Sequence, residues 1–169
     1  MHIETLLAHT SEFGGISDIY GASHFPIYQT ATFDLKKQTG EIQYDYTRSG
    51  NPTREALENI FAKAENAAYC VCTHTGLGAV ALLFEVCLKT GSKILVESDC
   101  YGGTFRLLKF FKEKYDIEIF FADFNKLISI EEILNNNKID LILCESPTNP
   151  GMKIIDLSAI GKLAKKFLV

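Results

Sequence analysis

No stretch of this 169-residue sequence is apolar for long enough to cross a bilayer as a helix, and its start, Met1-His2-Ile3-Glu4, lacks the basic-then-apolar order of a secretory signal. A chain with neither feature is expected in the cytoplasm and not in a membrane. Charge of one sign is also missing. The 17 basic and 21 acidic side chains leave a net charge of −4, which gives no electrostatic case for nucleic acid. Lys162, Lys165 and Lys166 do cluster, but on a helical pattern that reads as a solvated face. The five cysteines (Cys70, Cys72, Cys87, Cys100 and Cys144) include no C-x-x-C pair and lie mostly in apolar stretches, so free thiols in a reducing compartment are the expected state. His74 is close to Cys70 and Cys72, yet a mononuclear site would need a fourth ligand that the sequence does not offer, and no metal is expected. Internal repeats and low-complexity tracts are lacking as well.

What is present falls into two parts. Residues 1–53 are rich in Ser, Thr, Gly, Tyr and Phe without a sustained period, and they read as an irregular N-terminal arm. Phe25 to Thr30 is expected to be extended, because the residue before Pro26 is pushed out of the helical region. So long an irregular lead-in is uncommon inside a compact domain, and the arm is expected to pack on something else, such as a second subunit. Pro52 and Thr53 then start a helix with Leu57, Ile60, Phe61 and Ala64 at helical spacing.

Residues 54–169 alternate between helix and strand. Strands are predicted at Tyr69–Cys72, Lys93–Glu97, Ile117–Phe121 and Leu141–Cys144. Helices are predicted at Leu77–Leu88, Thr104–Tyr115, Ile128–Asn135 and Asp156–Phe167. Short connections between alternating elements imply right-handed crossovers and a mostly parallel sheet with helices on both faces, an α/β fold. The near-continuous apolar strands agree with two covered faces. The sequence closes on the apolar Phe167-Leu168-Val169, where a further strand is expected, so the second part reads as an incomplete domain and the chain as a fragment of something longer.

Ligands of such sheets bind beyond the carboxyl ends of the strands, and three motifs fall there. Thr75-Gly76-Leu77-Gly78 joins a strand to a helix, where small residues and a helix start favour an anion. No Gly-Lys-Ser/Thr follows, so it is not a P-loop, and the third glycine of a dinucleotide fingerprint is absent. Taken alone, it is also compatible with an ordinary tight turn. Tyr101-Gly102-Gly103-Thr104 turns sharply and places a flat ring where it could lie on an aromatic cofactor, or simply on the surface. Glu145-Ser146-Pro147-Thr148-Asn149-Pro150 is a braced loop. Its Glu145 is either a catalytic acid or base, or a carboxylate that holds the loop by accepting backbone donors, the latter being favoured. A fourth segment, Tyr44-Asp45-Tyr46-Thr47-Arg48-Ser49-Gly50-Asn51-Pro52-Thr53, sets an arginine fork beside a phenol, a combination suited to phosphate.

These four segments, in this order, resemble the front part of the pyridoxal-phosphate (PLP) enzymes of cysteine and methionine metabolism, the family of cystathionine gamma-synthase, gamma-lyase and beta-lyase. The resemblance runs from about Ile27 onward. It implies the first part of a type I PLP-dependent transferase fold, with pyridoxal 5'-phosphate as cofactor and a sulfur amino acid, cystathionine or an activated homoserine, as substrate. It further implies that the amides at Gly76 and Leu77 take the cofactor phosphate. Tyr101 is implied to stack on the pyridine ring and act in proton transfer. Asn149 is implied to lie near the cofactor hydroxyl and the substrate carboxylate, while Glu145 is architectural. Tyr46 and Arg48 would reach across a dimer interface to the partner's cofactor, in a homodimer or tetramer. Gly103 stands where some methionine-degrading members carry cysteine, which leans toward the cystathionine branch.

Two segments of the family pattern do not occur in these residues. One is the Asp-Asn-Thr that supplies a carboxylate to the pyridine nitrogen, and the other is the Ser-x-Thr-Lys that supplies the Schiff-base lysine. The expectation is therefore a trans-sulfuration enzyme by family, whose 169-residue piece is inactive alone. The alternatives are a non-catalytic module that only pairs with an intact family member, and an unrelated nucleotide-binding α/β domain.

Overall fold

The computed structural model describes residues 2–9, 20–22, 24–38, 40–41 and 43–169. It divides into two compact units, Met1–Thr73 and His74–Val169.

In the first unit, helix α1 spans Ile3–Ala8 and helix α2 spans Pro52–Ala64, with a 3-10 turn at Leu35–Lys37 between them. The arm is thus less irregular than its composition suggests. At six residues α1 is too short for a period to show, and it buries only Leu6. A short antiparallel bridge joins Thr32 to Tyr46. The turn between its two sides is filled by Gln38, whose Nε2 donates to the Tyr44 carbonyl at 2.6 Å and whose Oε1 accepts from the amides of Gln43 and Tyr44.

Helix α2 begins where Asn51-Pro52-Thr53 says it should. The Asn51 side chain accepts from the Thr53 amide at 2.9 Å, and Pro52 occupies the first turn, where a missing N–H costs nothing. The same cap ties down the chain before it. Asn51 Nδ2 donates to the Tyr28 carbonyl, and Thr53 Oγ1 accepts from the Tyr28 amide and donates to the Pro26 carbonyl. The buried face of α2 is Ala56, Ile60 and Ala62, whereas Leu57 and Phe61 of the predicted stripe are exposed.

The expected strand at Tyr69–Cys72 is not formed. Its residues join no ladder among the described residues, and the Cys72 amide donates instead to Glu58 Oε1 at 2.9 Å. An apolar run becomes a strand only where a neighbouring edge accepts its backbone groups, and Tyr69 (90% exposed) and Val71 (68%) have nothing over them.

The second unit is an α/β layer built on a three-stranded sheet. In order come α3 (Gly76–Cys87), β1 (Lys93–Glu97), α4 (Gly102–Tyr115), β2 (Glu118–Ala122), α5 (Leu127–Asn136), β3 (Leu141–Leu143) and α6 (Leu157–Phe167). The strand order is β2-β1-β3, and both pairings are parallel: Leu95 stands opposite Phe120 on one side and Ile142 on the other. The central strand is nearly all buried, as its unbroken Ile-Leu-Val run implies.

Alternation along β1 sorts the core into two layers. Ile94 and Val96 face Phe84 of α3 together with Leu108 and Phe111 of α4. Phe84 and Phe111 meet edge to face at 5.3 Å. Leu95 faces the other way, into Ile130 and Leu134 of α5 and Ile160 of α6. Helices therefore cover both faces, and every β-to-α loop of the sheet opens at the same edge.

Candidate functional site

At that edge the second unit holds an open cleft of about 710 Å³, within the roughly 300–1,000 Å³ typical of small-molecule sites. Thr75, Gly76 and Leu77 enter from the start of α3, Tyr101 and Thr104 from the start of α4, and Glu145 and Asn149 from the loop after β3.

Thr75 caps α3: its hydroxyl accepts from the Gly78 amide at 2.9 Å. The cap engages the third amide of the helix. The first two, those of Gly76 and Leu77, have no carbonyl one turn back to bond. They point outward at the positive end of the α3 dipole, and there is open space where a Gly76 side chain would stand. This is a seat for an anion.

Tyr101 is the N-cap residue of α4 and offers no side-chain cap, so its ring is free to serve the cleft, where it is about half exposed. Its backbone is held by Glu145, whose Oε1 accepts from the Tyr101 amide at 2.5 Å. Of the two roles open to Glu145, the contact seen is the loop-holding one. Glu97, at the end of β1, is fully buried. Its Oε1 accepts from Ser98 Oγ at 3.0 Å and the Asp99 amide at 2.9 Å, and its Oε2 accepts from the Phe124 amide at 2.6 Å. The turn leading to Tyr101 is thereby fastened to the end of β2. Asp99 reaches the other loop, with Oδ2 accepting from Thr148 Oγ1 at 2.5 Å. The peptide bonds before Pro147 and Pro150 are cis.

Tyr46 and Arg48 lie together in the first unit, on the turn after the Thr32 bridge. The Arg48 guanidinium stands 5.0 Å from the Tyr46 ring centre, both side chains are exposed, and among the described residues no carboxylate pairs with Arg48. Arg54 shapes that turn: its Nη1 and Nη2 donate to the carbonyls of Thr47 and Ser49 at 3.2 and 3.1 Å. Below it, the Tyr44 hydroxyl donates to Glu55 at 2.6 Å, and burial followed by that bond holds the Tyr44 phenol above the usual tyrosine range.

Of the residues singled out in the sequence, Gly76, Leu77, Tyr101 and Asn149 line one cleft. Glu97 and Asp99, which fasten the Tyr101 and Asn149 loops, and Arg54, which shapes the Tyr46–Arg48 turn of the first unit, carry no role in the sequence reading. Asp99 is two residues from Tyr101, a signal that was available. Nothing local marks the partners of Glu97, one of which is 27 residues away.

Cys100 and Cys144 line a smaller hollow of about 130 Å³ beside the cleft. Burial pushes the Cys100 thiol above the ordinary range, and Glu145, Glu97 and Asp99 push it further; burial and Glu97 do the same to Cys144. Both thiols therefore favour the protonated form when folded. Their contribution to stability is full below the free-thiol value of about 8.5 and is lost as pH rises through the folded value. A disulfide reagent at pH 8 is expected to label the exposed Cys87 at least about tenfold faster than Cys100 or Cys144. Raising the pH should narrow the gap. Equal rates at pH 8, read by peptide mapping, would contradict the burial of these two thiols.

The sequence profile of the family described as Cys/Met metabolism PLP-dependent enzyme matches residues 4–169, so the likeness begins earlier than Ile27. A cystathionine beta-lyase of Neurospora crassa is 41% identical over 146 residues, covering 86% of this chain and 32% of the relative. An L-methionine gamma-lyase of Fusobacterium nucleatum subsp. polymorphum is 36% identical over 159 residues, covering 89% of this chain and 40% of the relative. Among solved structures, the cystathionine gamma synthase of Xanthomonas oryzae pv. oryzae in complex with cystathionine superposes with a TM-score of 0.86 at 34% identity, covering 99% of this chain and 42% of that one. The chain thus spans about two-fifths or less of the length of these proteins.

Proposed function

Because the chain belongs to the Cys/Met metabolism PLP-dependent enzyme family, we propose that it forms the cofactor-holding front part of a trans-sulfuration enzyme of the cystathionine type. The substrate class is a sulfur amino acid such as cystathionine, or an activated homoserine, with elimination or replacement at the beta or gamma carbon. The observation that carries this reading is the cleft itself, which unites two unengaged helix-start amides, a half-exposed tyrosine ring and an amide side chain.

Each group has a task that its chemistry suits. The amides of Gly76 and Leu77 bind the phosphate. The Tyr101 ring would stack on the flat cofactor, and its phenol would serve in proton transfer. The exposed Asn149 amide orients the ring hydroxyl and the substrate carboxylate. When bound, pyridoxal phosphate supplies the electron sink that lets an amino acid release the proton on its alpha carbon. Tyr46 and Arg48, exposed and with no carboxylate pairing with Arg48 among the described residues, are assigned to the phosphate held by a second copy in a homodimer or tetramer. Turnover is assigned to the whole protein. With no Ser-x-Thr-Lys segment, these residues alone are expected to bind the cofactor without releasing thiol or oxo acid from cystathionine.

Gly76→Pro tests the phosphate seat. Proline at the first position of a helix keeps the fold, and the extended conformation of Thr75 accepts a following proline. The change deletes one donor and little else. Pyridoxal-phosphate affinity measured by equilibrium dialysis is expected to fall about tenfold, with the melting temperature unchanged. Pyridoxal, which lacks the phosphate, should bind both forms equally weakly. If the variant holds pyridoxal phosphate as tightly as the parent, the anion is seated elsewhere and the reading fails.

A further inference from the structure

The loop that carries Asn149 has no regular structure of its own, and Asn149 and Pro150 at its tip are exposed. Of the two residues that flank them, Gly151 is exposed as well and Thr148 is not. Thr148 is buried, at 1% exposure, and its hydroxyl is used in both directions: it donates to Asp99 Oδ2 at 2.5 Å and accepts from the Lys153 amide at 2.9 Å. On the far side of the tip, the Gly151 amide donates to Asp99 Oδ1 at 3.3 Å. The two oxygens of one carboxylate therefore grip the loop immediately before and after Asn149-Pro150. The fit leaves no slack at Gly151, where an added Cβ would stand 2.1 Å from Asp99 Oδ2. Asp99 is itself fixed, since Glu97 Oε1 accepts its amide at 2.9 Å. Asp99 and Glu145 thus act in opposite directions: Glu145 reaches from the Asn149 loop to the Tyr101 amide, and Asp99 reaches from the Tyr101 loop back to the Asn149 tip.

We propose that Asp99 is a positioning residue that sets the Asn149 side of the cleft against the Tyr101 side, so that a flat ligand meets both at once. The inference rests on the pyridoxal-phosphate reading for the identity of that ligand. It does not depend on that reading for the clamp.

Three variants of the full chain open the clamp by different means. Asp99→Ala removes both acceptors. Thr148→Val keeps the shape and deletes the hydroxyl. Gly151→Ala forces the carboxylate away. Each is expected to speed amide hydrogen exchange at Gly151 and Lys153 about tenfold and to weaken pyridoxal-phosphate binding by a similar factor, with Leu95 and Val96 of the central strand unchanged as internal references. Thr148→Ser should restore both. Asp99→Ala combined with Thr148→Val should cost less than the sum of the two, because both remove the Thr148–Asp99 bond while each also removes one of its own. Asp99→Asn, which keeps one acceptor, serves if the alanine variant fails to fold.

Unchanged exchange at Gly151 and Lys153 would overturn the clamp. Faster exchange with unchanged cofactor affinity would reduce Asp99 to a purely structural role and overturn the proposal. A parent chain that takes up no pyridoxal phosphate would sink the functional reading, and the exchange data would then decide the clamp alone.

Discussion

Replacing Glu97 by alanine is expected to lower the melting temperature by about 10 °C, the largest stability loss foreseen for any single polar residue in the second unit. Glu97 is fully buried and accepts from Ser98 Oγ and from the amides of Asp99 and Phe124. Alanine strands the buried Phe124 amide and takes the acceptor from the part-buried Ser98 hydroxyl and Asp99 amide, at about 1–3 kcal/mol for each that finds no new partner. Removing the carboxylate also recovers the cost of burying it, which offsets part of the loss. A net of about 3 kcal/mol remains, and in a chain of this size each kcal/mol moves the midpoint by about 2–4 °C. Glu97→Gln should recover no more than half, since its amide nitrogen would face a backbone N–H in place of an acceptor. A midpoint within a degree or two of the parent, read by circular dichroism, would mean that the stranded donors had found water.

Glu97 also marks where the sequence stopped being legible. The fold could be read because its signals are local. Asn51-Pro52 starts α2, Thr75 starts α3, Asp156 caps α6 through the Ala159 amide, and the apolar runs of the sheet alternate with stretches of helical spacing. A strand needs more than its own residues, which is why Tyr69–Cys72 was expected and not found. Leu57 and Phe61 have helical spacing and still face outward, because spacing says that a stripe exists and not what covers it. The site divides in the same way. Gly76, Leu77, Tyr101 and Asn149 could be named because their short segments resemble the family pattern, Tyr101 and Asn149 after strands that form and Gly76 and Leu77 after an apolar run that forms none. The carboxylates that hold them bond across separations of 27 to 52 residues, which no local pattern encodes.

Gly103→Ala is expected to weaken pyridoxal-phosphate binding about as much as Tyr101→Ala does, although residue 103 would touch no cofactor. The Tyr101 ring lies directly over Gly103: a Cβ at that position would stand 2.3 Å from Tyr101 Cε1 and 2.9 Å from Cδ1. No such contact is tolerated. Gly103 is buried at the start of α4 and cannot retreat, and the Tyr101 backbone is pinned by Glu145, so the ring alone must swing away. A ring displaced from the cleft forfeits both its stacking on a flat cofactor and the apolar area that stacking buries. Together these amount to about 2–3 kcal/mol, or roughly 30-fold to 150-fold in affinity. Tyr101→Phe keeps the ring and should bind nearly as the parent does, and the double variant of Gly103→Ala with Tyr101→Ala should add little to either. Stability separates this account from simple damage. Alanine is the better helix former by about 1 kcal/mol, so the Gly103→Ala chain should melt no lower than its parent while binding far less cofactor. If it binds as the parent does, the ring pose over Gly103 is not the one that receives the ligand.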